Sequence, residues 1–342
     1  MGLTRSGPAP ANGARNRSLD GLRGIAALSV ALGHCFVQVT GLPLWETSLR
    51  DFPSMSAGAI AMRVTSALFP SDAAVMVFFV LSGHVLWGSF RRKDVSFVGG
   101  LPEYTAARIY RLFPLTIVSA IPIGLLSSAS ARELAKNMLL LSNSMNGVLW
   151  SLQVEVVASF ALFALWGLTR GMGWKMSLGL IVAVGATAFF RGYGPVVFFP
   201  AFILGASISL VPARVWQQGW LVTIGVLVLV FTNVLLGHGG ITRFFEMTGA
   251  TVVVGAVATG QLPFLTWRLP LFLGAISYPF YLTHLFGLLI SEPWLAMLPA
   301  MPPLAMVAVR AVASIAITIP LAWALHVFVE TPMLRARPRP ML

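Results

Sequence analysis

The sequence predicts an all-α protein, a polytopic transmembrane helix bundle of about ten spans with both termini on the cytoplasmic side. Three observations predict it. Of 342 residues, 57% are hydrophobic and only 10% charged, against about 45–50% and about 25% in ordinary soluble domains. Apolar stretches of near-spanning length recur along the whole chain. The 23 basic residues fall unevenly on the connections between those stretches. A soluble fold is excluded, because 34 charged side chains (23 basic plus 11 acidic) cannot coat one of this size. Disorder is excluded by the mean hydropathy of +0.83. The net charge of +12 is scattered between apolar runs rather than gathered in a basic domain, so no nucleic-acid partner is expected. The expected surroundings are membrane lipids.

Residues 1–17, rich in Gly, Pro, Ala, Asn and Arg, read as a flexible cytoplasmic tail. Residues 18–335 form one membrane domain, and 336–342 a second short tail. Expected spans lie near 22–40, 73–90, 112–128, 149–169, 175–191, 194–211, 220–237, 244–262, 270–291 and 304–329. The stretch 131–146 is too short and polar to span and reads as a loop or surface helix. With the N-terminus inside, 16 Lys and Arg fall on the inner face and 7 elsewhere, as the positive-inside rule requires, and an even number of spans keeps both basic termini inside. The first apolar run is no secretory signal, because Arg23 and His34 interrupt it and no small-residue cleavage site follows. The single cysteine, Cys35, excludes an internal disulfide or a multi-cysteine metal site, and no metal is expected.

Ionisable residues inside a span are costly and mark function by default. Counting rise per residue, His34, Glu155 and His284 each fall roughly 18–21 Å from the inner face, so three helices place an ionisable side chain at one level. His326 and Glu330 lie nearer the cytoplasmic end and read as interfacial anchors. Arg23 and His34 are eleven residues apart, about three turns, and so share a helix face about 16 Å apart along the axis. An anion at the rim with a thin arm reaching inward fits that spacing, and coenzyme A has that shape. Arg108 and Arg111 stand at i and i+3 on one face, and their planar guanidinium groups suit phosphate.

These residues sit in recognisable segments: SLDGLRGIAALSVALGHCF, FFVLSGHVL (78–86), ARIYRLFP, LWSLQVEVVASF (149–160), ISYPFYLTH and FVETPMLR (328–335). In this order they resemble the motifs of the acyltransferase-3 family of bacterial membrane acyltransferases, which modify surface glycans. Arg23 and His34 match its Arg-x10-His pattern, Ser82 and Gly83 its FFxLSGF segment, and Arg108 and Arg111 its Arg-x-x-Arg loop. Trp150, Ser151 and Glu155 match WSLxxE; Ser277, Tyr278, Tyr281 and His284 match SYxxYLxH. His84 departs from the usual Phe, and no role is carried to it.

The resemblance implies a multi-pass enzyme of the bacterial inner (plasma) membrane. It implies transfer of an acyl group, acetyl first among the choices, from acyl-CoA on the cytoplasmic side to a hydroxyl of a glycan or glycolipid. No permanently bound cofactor is expected. Arg23, Arg108 and Arg111 are expected to hold the donor's phosphates. His34 is expected to act as base or acyl carrier with Glu155 orienting it, and Trp150, Ser151, Tyr281 and His284 to contact the acceptor. No soluble esterase-type domain follows Arg335, so transfer is expected to finish inside the membrane domain. From the residues alone, a proton-coupled transporter using the His/Glu layer is the alternative; no inverted repeat is visible for it.

Overall fold

A computed structural model describes residues 16–41, 46–92, 97–126, 129–191 and 194–336. Most of the expected tails, 1–15 and 337–342, lies outside these. The described residues are almost wholly helical, with no strand among them. The helices are α1 (Arg17–Thr40), α2 (Ala57–Ser66), α3 (Ser71–Arg92), α4 (Phe97–Leu126), α5 (Ala131–Met138), α6 (Leu149–Thr169), α7 (Trp174–Arg191), α8 (Phe199–Ser207), α9 (Ala213–Trp216), α10 (Gly219–Leu236), α11 (Gly240–Ala258), α12 (Arg268–Ala275), α13 (Ser277–Leu295), α14 (Pro303–Leu325) and α15 (Thr331–Ala336). Helices stand at all ten expected positions, but among the described residues seven are long and apolar enough to cross a membrane, or eight if the bent pair α12–α13 counts as one span. The run near 194–211 is a short apolar segment, α8 flanked by 3-10 turns, rather than a full span. The stretch 131–146 holds the short helix α5, whose Ser130 and Glu133 form a capping box.

Local chemistry sets the ends of the helix that matters most. Asn16 caps α1 by accepting from the Ser18 N–H at 3.1 Å. At the other end Gly41, at φ 67°, takes the left-handed conformation that lets its N–H reach Val37 O. Between α12 and α13 the chain bends by 80°. Ile276 leaves the helical path there, at φ −94° and ψ 5°, and Pro279 has no N–H to offer the Ala275 carbonyl.

Close backbone approach fixes the neighbours of α1 and α3. A Cβ on Gly274 would sit 2.1 Å from Asp20 O, and one on Gly83 would sit 2.1 Å from Phe202 O. These are backbone atoms that cannot swing aside, and small residues of this kind let membrane helices touch. The motif residue Gly83 therefore exists for packing, while its neighbour Ser82 faces a cavity. Gly83→Ala is expected to destabilise the fold by about 2–3 kcal/mol, read as a lower thermal midpoint in detergent, whereas Gly179→Ala, with open space around it, should leave the midpoint unchanged.

Candidate active site

His34 of α1 meets a second histidine, carried by α13. Its Nδ1 lies 3.0 Å from His284 Nε2, with ring centroids 5.0 Å apart. His284 is fully buried, and its Nδ1 lies 2.8 Å from the carbonyl oxygen of Tyr281 one turn earlier on α13. A carbonyl only accepts, so His284 Nδ1 carries a proton and its Nε2 accepts. The proton in the 3.0 Å contact then belongs to His34 Nδ1. That leaves His34 Nε2 with its lone pair, the arrangement a general base needs. If His34 takes a second proton at Nε2, its Nδ1–H still donates to His284, and no ring has to turn.

A cavity of about 300 Å³ opens at the Arg23 end of the bundle, lined by Arg23, Ser82, Tyr104, Arg108, Arg111 and Glu155 among others. A narrower space of about 70 Å³ shares Arg23, Ser82, Arg111 and Glu155 with it and continues to Ser151, Tyr278 and Tyr281. The passage is wide and cationic at one end. It narrows toward the tyrosine whose carbonyl holds His284. Tyr281 and Ser151 are joined by a 2.8 Å hydroxyl contact, which ties α13 to α6. Tyr278 donates to Leu112 O at 2.6 Å and ties α13 to α4.

Several expected roles shift. Glu155 does not orient His34. It accepts from Arg108 at 3.2 Å and from Ser82 at 3.4 Å, on the cationic side of the passage. The single-level reading placed Glu155 too far out because it took the start of α6 as the membrane face. In the fold that start is internal, since Asn146 donates to Leu282 O at 2.9 Å, two residues before His284. Glu155, six residues into α6, therefore lies about 9 Å nearer the Arg23 end than the start of that helix. His284, expected among acceptor contacts, is instead the partner of His34.

Ser151 and Tyr281 line the same passage as the arginines, not a separate acceptor surface. Trp150 lines neither space; it packs against Phe79 and Phe198, centroids 6.0 and 5.0 Å away. Arg108 is committed to Glu155, and Arg23 has Asp20 at 3.6 Å. Arg111 makes no ion pair among the described residues and borders both spaces.

The sequence reading missed a second polar cluster at the end of the bundle away from Arg23. Arg63, buried, donates to Asn233 at 2.6 Å and to Thr47 O at 2.9 Å. Asp72 and the buried Glu246 share a small cavity with them. Glu246 lies inside the expected span 244–262, and an acid within a span was the signal available.

His238, in the connection between α10 and α11, lies 3.7 Å from Asp72. That nearby carboxylate raises its imidazole above the ordinary histidine value, more than partial burial lowers it. A raised folded-state value means the pair stabilises below about pH 6.5 and that this contribution fades as pH climbs through the raised value. Asp72→Asn should move the His238 midpoint down in an NMR titration.

A family model described as "Acyltransferase domain" matches residues 16–327, nearly the whole chain. No curated protein and no solved structure matches.

Proposed function

The chain belongs to the acyltransferase-3 family, as a multi-pass membrane acyltransferase, and from that premise we propose that it moves an acyl group from acyl-CoA to the hydroxyl of a glycan or glycolipid, with His34 as general base. The observation that carries the reading is the His34–His284 pair, held by the carbonyl of Tyr281, with Tyr281 also lining the narrow end of a passage whose wide end is lined by Arg23, Arg108 and Arg111. A donor with phosphates at one end and a thioester at the tip of a thin arm suits a cavity that is cationic where it is wide and narrow where it reaches Tyr281.

The steps balance without a further reactant. His34 Nε2 takes the proton of the acceptor hydroxyl as the oxygen attacks the thioester carbonyl. The tetrahedral intermediate collapses, the carbon–sulfur bond breaks, and the thiolate leaves. The proton on His34 Nε2 then passes to that sulfur. Throughout, His284 accepts from His34 Nδ1 and holds the ring in one orientation. Arg111 is the lead phosphate ligand, with Arg23 beside it and Arg108 held by Glu155. Acetyl is the acyl group proposed first, and the bacterial inner membrane the location; both rest on the motifs shared with the family.

The test is transfer of labelled acetyl from acetyl-CoA to alkyl glycosides by purified protein. Product formation that needs both substrates is expected. No release of coenzyme A by the wild-type protein, with any of acetyl-, succinyl- or longer acyl-CoA, would sink the donor assignment.

A further inference from the structure

The polar cavity at the end away from Arg23 holds about 30 Å³, room for a single hydroxyl or water. It is lined by Arg63, Ser66, Asp72, Asn233 and Glu246, and by Gly33, the residue before His34. Three buried polar atoms on its lining side chains lack a hydrogen-bond partner: Glu246 Oε1, Asn233 Nδ2 and Asp72 Oδ2, the first two on residues 4% and 7% exposed, the third with His238 3.7 Å away. Buried polar atoms are almost always satisfied, so one donor and two acceptors left open on a single cavity point to a hydroxyl-bearing occupant.

A second space adjoins it. An apolar groove of about 320 Å³ runs along α1 from Leu22 to Leu32 and is closed by Val226 and Val230 of α10 and Phe264. Ten residues of helix make it about 15 Å long. It lies on the opposite face of α1 from Arg23 and His34, by the 100° step per residue. Phe69, Pro70 and Val230 belong to both the groove and the polar cavity, so the two lie side by side and share a wall. Ile25, Leu68 and Val226 leave the groove open to the outside of the bundle.

We propose that these two spaces together bind the acceptor, and that the acceptor is a hydroxylated head group on an aliphatic anchor that enters sideways from the membrane. The anchor lies in the groove along α1. A head-group hydroxyl donates to Glu246 Oε1 and accepts from Asn233 Nδ2, which brings the rest of the head to the His34 end of α1. The proposal rests on the acyltransferase reading and adds the acceptor's chemical class and its site. It also separates the substrates, with the donor on the Arg23 side of the imidazole pair and the acceptor on the other.

Photo-cross-linking in proteoliposomes tests it without needing turnover. The probes are a dodecyl maltoside and a phosphatidylcholine, each with a diazirine in the tail. The glycoside should label peptides of α1 and α10 bordering the groove. Val226→Trp, at a position open to the outside, should abolish that label by filling the groove. Glu246→Gln and Asn233→Ala should each cut glycoside labelling at least fivefold and leave phosphatidylcholine labelling unchanged. Equal labelling of the groove by both lipids in every variant would mean bulk lipid only and would overturn the proposal. So would glycoside label on other helices. Because labelling is independent of the donor, a chain that failed to use acyl-CoA would count against the proposed function and leave this result standing.

Discussion

His34→Ala should abolish acyl transfer, with a fall of about 10²–10⁴-fold in kcat, the range expected for losing a positioned general base. Donor KM should change little, since His34 lies beyond the narrow end of the passage rather than at its cationic mouth. Two companion variants separate base from scaffold. His284→Leu keeps the base but removes its orienting acceptor, so His34 is free to turn; a loss of about 10–100-fold is expected from misplacement alone. His284→Gln presents an amide oxygen near the lost Nε2 and should recover part of that loss. The pH–rate profile is the discriminating readout. A merely structural role for His284 would lower activity evenly across pH, whereas an orienting role shifts the limb that reports His34. Full transfer by a folded His34→Ala protein would exclude the base assignment.

Arg111→Ala should raise donor KM about 10–100-fold, the value of one or two charge-assisted hydrogen bonds to phosphate, with kcat held within a few-fold. Arg108→Ala should behave differently although it is three residues away. Its guanidinium answers Glu155, and removing it strands a largely buried carboxylate. The expected cost is about 3 kcal/mol of stability, read as a lower thermal midpoint. Pairing Arg108→Met with Glu155→Gln should return most of that stability without restoring donor affinity. If Arg111→Ala lowered the midpoint and left KM alone, the phosphate role would pass from Arg111 to another residue.

The contrast between these two arginines shows where sequence reading stops. Spacing put Arg108 and Arg111 on one helix face and Arg23 under His34, and both relations are local, set by 3.6 residues per turn. Pairing across helices is not local. His34 and His284 were assigned to one depth, but which side chains at that depth touch depends on how α1 and α13 lie side by side. Glu155 falls at another depth than a hydrophobic boundary suggests, because Asn146, three residues before α6, is buried against α13 and the helix starts inside the protein. The apolar run near 194–211 read as a span because composition does not register the short turns that divide it. Asp72 and Glu246 lie near the ends of apolar runs, where charge passes for ordinary interfacial decoration.

The glycine contact between α1 and α12 carries a consequence for rate. Asp20 O meets the position a Gly274 side chain would fill, and Gly24 comes within 2.4 Å of Gly274 N by the same measure. The first helix is thus seated on main chain, and α13, leaving the bend a few residues later, carries His284 back to it. Main chain is stiffer than side-chain packing, so the imidazole pair begins each turnover already aligned. Little reorganisation remains to be done when charge develops. It follows that a change in the lipid-facing shell should alter substrate entry well before it disturbs the chemical step.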